Sequence, residues 1–521
     1  MKKRTPAILF AVLVMNLALC RTMMGGLPEM PPVELDQEKI DKEWDELAAQ
    51  WECPEWFKDA KLGLWLCWGP CTVPEVGGGW FALHMYQSKN VPEFGARAFP
   101  YFREKFGPQW EYGYKDVCNA WKADKYDADA IAKRFKEAGA KYIAVISTFH
   151  DHFDNWDSTY HEWNSVKVGP KRDIVGELKK AADKHGLRFG LTCHDDRWPG
   201  FLGGSRRSEM VNGEKKLYDG HLTMEDGKGK WWEGLDPQNL YGGPGWTVEK
   251  RMQHFVVRHE ELLDKYEPDL FYYDKGNFSP GLAGKRVAAY FYRKNLERNG
   301  KIDAVMNLKS HKPGIVRDME KHVASTTIKD YYWQIDTTYG AWFWKTDREP
   351  EHSPETVIQM LVDVISKNGN LLLNVPQWPD GTFPEECEEL LDELTAWMKV
   401  NSSAVYGTRY WEVYRDGPTS FRASNRARKK TDEQYASDEV RFVKKDKTLY
   451  AFLMNPQAGP LKMKALGLKH AITKPGKVTA VSIVGGEAVE FSQNDEALEL
   501  TVPEKRPSKF VTALKIEGAI R

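Results

Sequence analysis

Asp274 closes the run Leu270-Phe271-Tyr272-Tyr273, four apolar or aromatic residues followed at once by a carboxylate. A carboxyl group so placed can attack or support an electrophilic carbon, if a second carboxyl stands opposite to protonate the leaving group. Glu320, in Asp318-Met319-Glu320-Lys321-His322, is the candidate for that second role, because it falls in the loop region after the next apolar run. Two carboxyls with these separate tasks are the equipment for splitting a glycosidic bond. Other polar groups stand in the same position after apolar runs: Thr148-Phe149-His150-Asp151-His152, Cys193-His194-Asp195-Asp196, and Asn307-Leu308-Lys309. His150, His152, His161 and His194 raise the question of a metal cluster, but a strand end aims only one or two of them at any one point. Hydrogen bonding to sugar hydroxyls is the simpler use of His150 and His194, and His152 and His161 read as structural or surface residues. No metal site and no cofactor are assigned.

Such residues need strands to hold them. Short, mainly apolar runs at Leu62 to Trp68, Tyr142 to Ser147, Leu187 to Cys193, Leu270 to Tyr273, Ala304 to Met306 and Leu371 to Val375 fit strands covered on both faces. Helix patterns lie between them at Ala128 to Ala138, Asp173 to His185, Val248 to Tyr266, Ala283 to Asn299 and Pro354 to Lys367, with Gly186, Gly300 and Gly369 where left-handed caps belong. The repeated strand-helix unit implies a parallel sheet and favours a (β/α)8-like barrel of the TIM type, whose chemistry sits just past the C-terminal strand ends. A doubly wound nucleotide-binding sheet would want a G-x-G-x-x-G loop, which Gly77-Gly78-Gly79 does not supply. The expected layout is an N-terminal linker and helix over 21–54, the catalytic barrel over 55–405 with an insertion at 201–245, and a C-terminal β-sandwich over 406–521.

Composition narrows the partners. The 521 residues carry 74 Lys and Arg against 75 Asp and Glu, which gives no field for nucleic acid. The 20 Trp, 22 Tyr and 23 Phe offer flat apolar faces that suit sugar rings as well as cores. Lys2, Lys3 and Arg4 before the apolar stretch from Pro6 to Met15 have the layout of a secretory signal over 1–20, so the chain is expected to be secreted or periplasmic. Cys20 could carry a lipid anchor, with ordinary cleavage nearby as the other reading. Seven cysteines without paired C-x-x-C spacing argue against zinc.

The sequence resembles the α-L-fucosidases of glycoside hydrolase family 29 over roughly residues 55 to 455. Ala60-Lys61-Leu62-Gly63-Leu64-Trp65-Leu66-Cys67-Trp68-Gly69-Pro70 is similar to the family's opening strand, and Gly79-Trp80-Phe81 to its E-W-Y segment. Phe149-His150-Asp151 stands for its H-H-D, while Gly169 to Val175, Asn368 to Val375 and Asp380-Gly381-Thr382 match further strings. The resemblance implies a retaining exo-α-L-glycosidase acting on an oligosaccharide or polysaccharide, with Asp274 as nucleophile and Glu320 as acid/base. A second Glu that the family carries in a W-E pair is Gln334 here, after Trp333.

The sugar pocket implied by the resemblance includes Cys67, Trp80, Phe149, His150, His194, Lys309 and Trp342. Cys67 replaces the His of H-W-G, Phe149 the first His of H-H-D, Thr192 and Cys193 a usual Tyr-Tyr, and Lys309 an Arg. Losing one buried hydrogen-bond partner to a required hydroxyl typically costs about 1–3 kcal/mol. Either His194 and His84 take over, or the sugar differs. An α-L-galactoside or a sulfated fucoside, with Lys309, Arg206 or Arg207 meeting the sulfate, is therefore an alternative substrate, and a carbohydrate-binding pseudoenzyme is the reading from another class. Trp344 is expected to wall the pocket beside Trp342, and Trp231, Trp232 and Trp246 to serve outer subsites. Trp65, Trp156 and Trp163 are expected to be structural.

Overall fold

A computed structural model describes residues 27–87, 98–320, 327–346, 350–417 and 435–521. Residues 1–20, where a leader is expected, lie outside the described residues, Cys20 included. Eight parallel strands close into a barrel in which neighbours in space are neighbours in sequence. They are β1 (Leu62–Leu66), β2 (Tyr142–Thr148), β3 (Arg188–Cys193), β4 (Leu270–Tyr273), β5 (Val305–Leu308), β6 (Val316–Asp318), β7 (Trp333–Thr338) and β8 (Gly369–Asn374). Strand β1 pairs with β2 on one side and with β8 on the other, which shuts the ring. Six of these runs stand out as apolar in the sequence; β6 and β7 do not, because Arg317, Asp318, Gln334, Asp336 and Thr338 interrupt them. Successive residues of a strand face opposite ways, so Gln334, Asp336 and Thr338 share one face of β7.

The helices are α1 (Gln37–Gln50), α2 (Ala128–Glu137), α3 (Ile174–His185), α4 (Val248–Tyr266), α5 (Gly281–Asn299), α6 (Pro354–Ile365) and α7 (Glu385–Val405). Asp127 and Asp173 accept from the backbone of Ala130 and Gly176, capping α2 and α3, and Gly186 and Gly300 adopt the left-handed conformation that ends α3 and α5. Gly369 differs from expectation. Asn368 takes the positive φ of 74° after α6, and Gly369 begins β8, where a Cβ would stand 2.6 Å from the Trp333 ring.

Among the described residues no helix follows β5 or β6. That flank is met by α1, which is therefore more than a linker. Trp44 of α1 stacks on Tyr292 of α5 at 5.5 Å and meets Phe278 edge-on at 4.7 Å, while the turn at Gly314 presses against Ala48 and Trp44. Trp51 and Trp56 donate to the carbonyls of Ala304 and Asp303 at 2.9 and 3.0 Å, tying the N-terminal segment to the base of β5.

Beyond α7 come β9 (Arg409–Asp416), β10 (Val440–Lys445), β11 (Thr448–Leu453), β12 (Gly459–Met463), β13 (Ala480–Ile483), β14 (Phe491–Gln493), β15 (Leu498–Val502) and β16 (Thr512–Glu517). They form antiparallel sheets ordered β9-β10-β11-β16-β13 and β12-β15-β14. An apolar cluster of its own, including Trp411, Phe442, Leu461, Leu500 and Leu514, fills this C-terminal sandwich. It is bolted to the barrel by buried polar contacts: Arg441 Nε donates to Asp363 Oδ1 of α6 at 2.7 Å, and Trp397 Nε1 of α7 to the Val511 carbonyl at 2.7 Å.

Candidate active site

The strand ends converge on Asp274. Its Oδ2 lies 3.2 Å from Nδ1 of His194, which follows β3, and its Oδ1 pairs with the Lys309 ammonium, which follows β5. Lys309 also holds Glu320 Oε2 at 2.5 Å, so one cation bridges the two carboxylates that the sequence singles out. Burial alone would raise the Asp274 carboxyl, but His194 and Lys309 outweigh it and hold it well below the usual carboxylate range. Burial works against the Lys309 charge, yet Asp336, Asp274 and Glu320 raise it above the usual lysine range. The site thus keeps an ionised carboxylate and a fixed cation side by side.

Beneath them lies a second carboxyl pair. Asp318, at the end of β6, and Asp336, on β7, are both fully buried, and the charge of Asp318 disfavours a second negative charge on Asp336. Burial and then Asp318 push the Asp336 carboxyl well above its usual range, while burial takes Asp318 up to about 6. Gln334 Nε2 donates to Asp318 at 2.7 Å and Gln334 Oε1 accepts from Tyr142 at 2.7 Å, so the residue standing for the family's Glu serves as a brace. The Tyr272 hydroxyl lies 3.3 Å from oxygens of both Asp274 and Asp336, linking the two layers. Asp336 and Tyr272 were not legible as site residues. The period-two spacing of Gln334, Asp336 and Thr338 is the signal that points to Asp336.

The remaining pocket residues gather around this centre. His150 donates from Nδ1 to the His194 carbonyl, and burial followed by the neighbouring His194 pushes its imidazole down to about 3, so the ring is neutral. Phe149 packs on Phe343 at 4.7 Å and on His150 at 4.5 Å, and Phe201 closes the same wall. Trp80 lies 6.1 Å from His150 and 5.6 Å from Phe201, with the Arg197 guanidinium 5.1 Å over its ring. The Cys67 backbone N–H donates to Asn374 Oδ1 at 2.8 Å, and Asn374 Nδ2 reaches the carbonyl of Trp342 at 2.9 Å, so one buried amide positions both. His84 is buried near Trp80, its Nε2 without a hydrogen-bond partner.

Several expectations need correction. Trp65 faces the barrel lumen, stacked on His194 at 5.9 Å and edge-on to Trp342 at 5.4 Å, with no hydrogen-bond partner for its indole N–H. It floors the pocket as well as filling the core. Trp344 turns to Trp378 at 4.3 Å, and Trp232 is buried at 2% exposure and cannot present a face to an outer subsite. Trp231 is exposed, while Trp246 packs edge-on to Trp198 at 5.1 Å. Cys193 Sγ sits 2.9 Å from His259 Nε2 of α4, and Thr192 is fully buried, so neither substitutes for a pocket tyrosine. Arg206 and Arg207 donate to the backbone carbonyls of Tyr241, Gly242 and Tyr86. Both arginines are committed to holding the insertion.

A closed parallel barrel with carboxyls gathered at its C-terminal mouth, followed by a β-sandwich, defines a barrel glycoside hydrolase. The family model described as Alpha-L-fucosidase matches residues 31–403, and the chain belongs to that family. It is 28% identical to plasma alpha-L-fucosidase of Homo sapiens, over 92% of this chain and 93% of that one. It is 25% identical to tissue alpha-L-fucosidase of Bos taurus, over 96% and 97%. Among solved structures, the alpha-fucosidase of Thermotoga maritima in complex with a mechanism-based inhibitor superposes with a TM-score of 0.66 at 27% identity, covering 93% of this chain and all of that one.

Proposed function

We propose that this protein hydrolyses terminal α-L-fucosyl residues of glycans by double displacement, with Asp274 as nucleophile and Glu320 as acid and then base. The observation that carries the reading is the ammonium of Lys309 shared by Asp274 and Glu320. Oxygens that share one donor lie at most two hydrogen-bond lengths apart, under about 5.6 Å, which favours the close carboxyl pair of a retaining glycosidase over the separation of about 6.5–9.5 Å that an inverting one needs. In the first step an Asp274 oxygen bonds to the anomeric carbon while the bond to the leaving oxygen breaks and that oxygen takes the Glu320 proton. In the second, the Glu320 carboxylate removes a proton from water, whose oxygen displaces Asp274. Lys309 and His194 keep Asp274 ionised for the attack, while the buried Asp336 below them is held well above the usual carboxylate range and stays neutral.

The apolar wall of Phe149, Phe201 and Phe343 suits the methyl group that distinguishes fucose from L-galactose. Because an apolar pocket rejects an added hydroxyl only modestly, kcat/KM is expected to favour the fucoside over the α-L-galactoside by about 10–100-fold. Equal rates on both would remove the role given to that wall. The leader pattern at 1–20 supports an exported enzyme. The test of the reaction is turnover of nitrophenyl α-L-fucoside by the wild type and by Asp274→Asn, which is expected to lose at least about 1,000-fold in kcat. In Glu320→Ala, azide is expected to restore turnover and yield the fucosyl azide with retained configuration. A fully active Asp274→Asn enzyme, or a Glu320→Ala enzyme indifferent to azide and unimpaired on a poor leaving group, contradicts the assignments.

A further inference from the structure

A second group of potential ligands lies behind the pocket, between the loop after β2 and α4. His152 and His161 come from that loop and His254 from α4, and one ring nitrogen of each falls within 4.8 Å of the others. All three side chains are buried. Each has one nitrogen fixed by an acceptor: His152 Nδ1 donates to Asp195 Oδ1 at 2.7 Å, His161 Nε2 to the His152 carbonyl at 2.8 Å, and His254 Nε2 to the Tyr160 carbonyl at 3.2 Å. The opposite nitrogen of each neutral ring therefore carries a lone pair. His161 Nδ1 is buried with no hydrogen-bond partner at all.

This is how metal-ligating histidines are held: the non-ligating N–H goes to a carboxylate or backbone carbonyl, which fixes the tautomer and the ring orientation. Three imidazoles with a water in the fourth position make a known zinc shell, with Zn–N bonds of about 2.0–2.1 Å that would draw the rings closer. The surroundings can bear the charge, because the single guanidinium of Arg258 is flanked by two carboxylates, Asp195 and Asp154. Arg258 Nη1 also lies 3.2 Å from both His152 nitrogens, so its hold on His152 Nε2 must give way to the ion. His152 adopts a positive φ of 62°, which few residues other than glycine do, and Trp198 stacks over its ring at 3.9 Å.

We propose that His152, His161 and His254 form a structural site for a transition-metal dication of the zinc class, which pins the loop after β2 to α4. That loop also carries His150 of the pocket, so the ion would steady the sugar-binding wall without touching the sugar. The site is distinct from the grouping of His150, His194 and Asp274 at the barrel mouth.

The test uses the full chain, expressed in medium supplemented with zinc or, separately, cobalt, because a buried site fills during folding. After dialysis against a weak chelator, the wild type is expected to keep about one equivalent of metal. His161→Gln and His254→Gln are expected to keep less than about 0.1, while His150→Gln and the exposed His221→Gln keep the wild-type amount. X-ray absorption on the wild type adds a measurement that does not depend on variants folding, and three imidazole scatterers are expected. Wild-type protein with less than about 0.1 equivalent overturns the proposal. So does a shell of one or two imidazoles, or metal lost in His150→Gln but kept in His161→Gln, which would put the ion at the barrel mouth.

Discussion

At the scale of single residues, the site works by setting opposite fates for its carboxyls. Lys309 and His194 hold Asp274 ionised, so replacing Lys309 with Met removes a cation that lowers the Asp274 carboxyl. The acid limb of kcat/KM is then expected to move to higher pH, measured on nitrophenyl fucoside; an unmoved limb would show that Asp274 does not depend on Lys309. Asp318 and Asp336 behave in the opposite sense. Asp318 is raised from 3.8 to about 6, so between those values the folded protein keeps a proton that the unfolded chain has released, and this pair's contribution to stability falls as pH rises through that window. Asp336→Asn removes the carboxyl that burial and then Asp318 hold well above its usual range, and is expected to flatten that part of the dependence, read as a smaller loss of melting temperature between pH 4.5 and pH 7 than in the wild type. Asp274 was legible in the sequence because it closes an apolar run that could be counted, and Glu320 only as a carboxylate in the segment beyond the next counted run, since β6 just before it is not apolar. Asp336 was not, because a strand that turns a polar face into a lumen does not look like a buried strand until its neighbours are known.

At the scale of elements, positioning depends on what the strands leave out as much as on what they carry. Gly63 of β1 lets the Tyr142 ring lie across it, and a Cβ there would stand 2.3 Å from that ring. Tyr142 in turn holds Gln334, which braces Asp318. Gly63→Ala is expected to destabilise the fold by about 1–3 kcal/mol, the usual range for overpacking. It should also weaken kcat through the displaced Tyr142, whereas an equal change at the exposed Gly229, which has nothing within 4 Å, should affect stability only through its own backbone. Chemical denaturation and steady-state rates on both variants check this. The helices were read from sequence more surely than the strands, because Asp127, Asp173, Gly186 and Gly300 act locally as caps. Strands β6 and β7 are decided by pairing across the barrel, which a single segment does not reveal. The role of α1 was likewise hidden, since its partners Tyr292 and Gly314 lie more than 240 residues further along the chain.

At the scale of the molecule, the sandwich and the barrel share a buried charge network. Asp363 of α6 accepts from both Arg441 and Lys367, and Arg441 also pairs with Glu439. Arg441→Leu takes one guanidinium away from both Asp363 and Glu439, which keep Lys367 and Arg415 as neighbours, so the cost is expected to fall below the about 3–5 kcal/mol of a fully broken buried pair. The variant is expected to melt earlier by calorimetry, and an unchanged melting temperature would mean that the junction adds nothing to stability. The aromatic wealth of the chain also resolves at this scale: most of it is core, while Trp65 floors the pocket and Trp80 and Trp342 lie around it. The covalent bond to the sugar is proposed to form on Asp274. Intact protein treated with a 2-deoxy-2-fluoro-α-L-fucosyl fluoride, then digested and sequenced by mass spectrometry, tests it most directly. One fluorofucosyl group per chain is expected, on the peptide bearing Asp274 and absent in Asp274→Asn; a label on Glu320 or on either of Asp318 and Asp336, with Asp274 unmodified, would contradict that role.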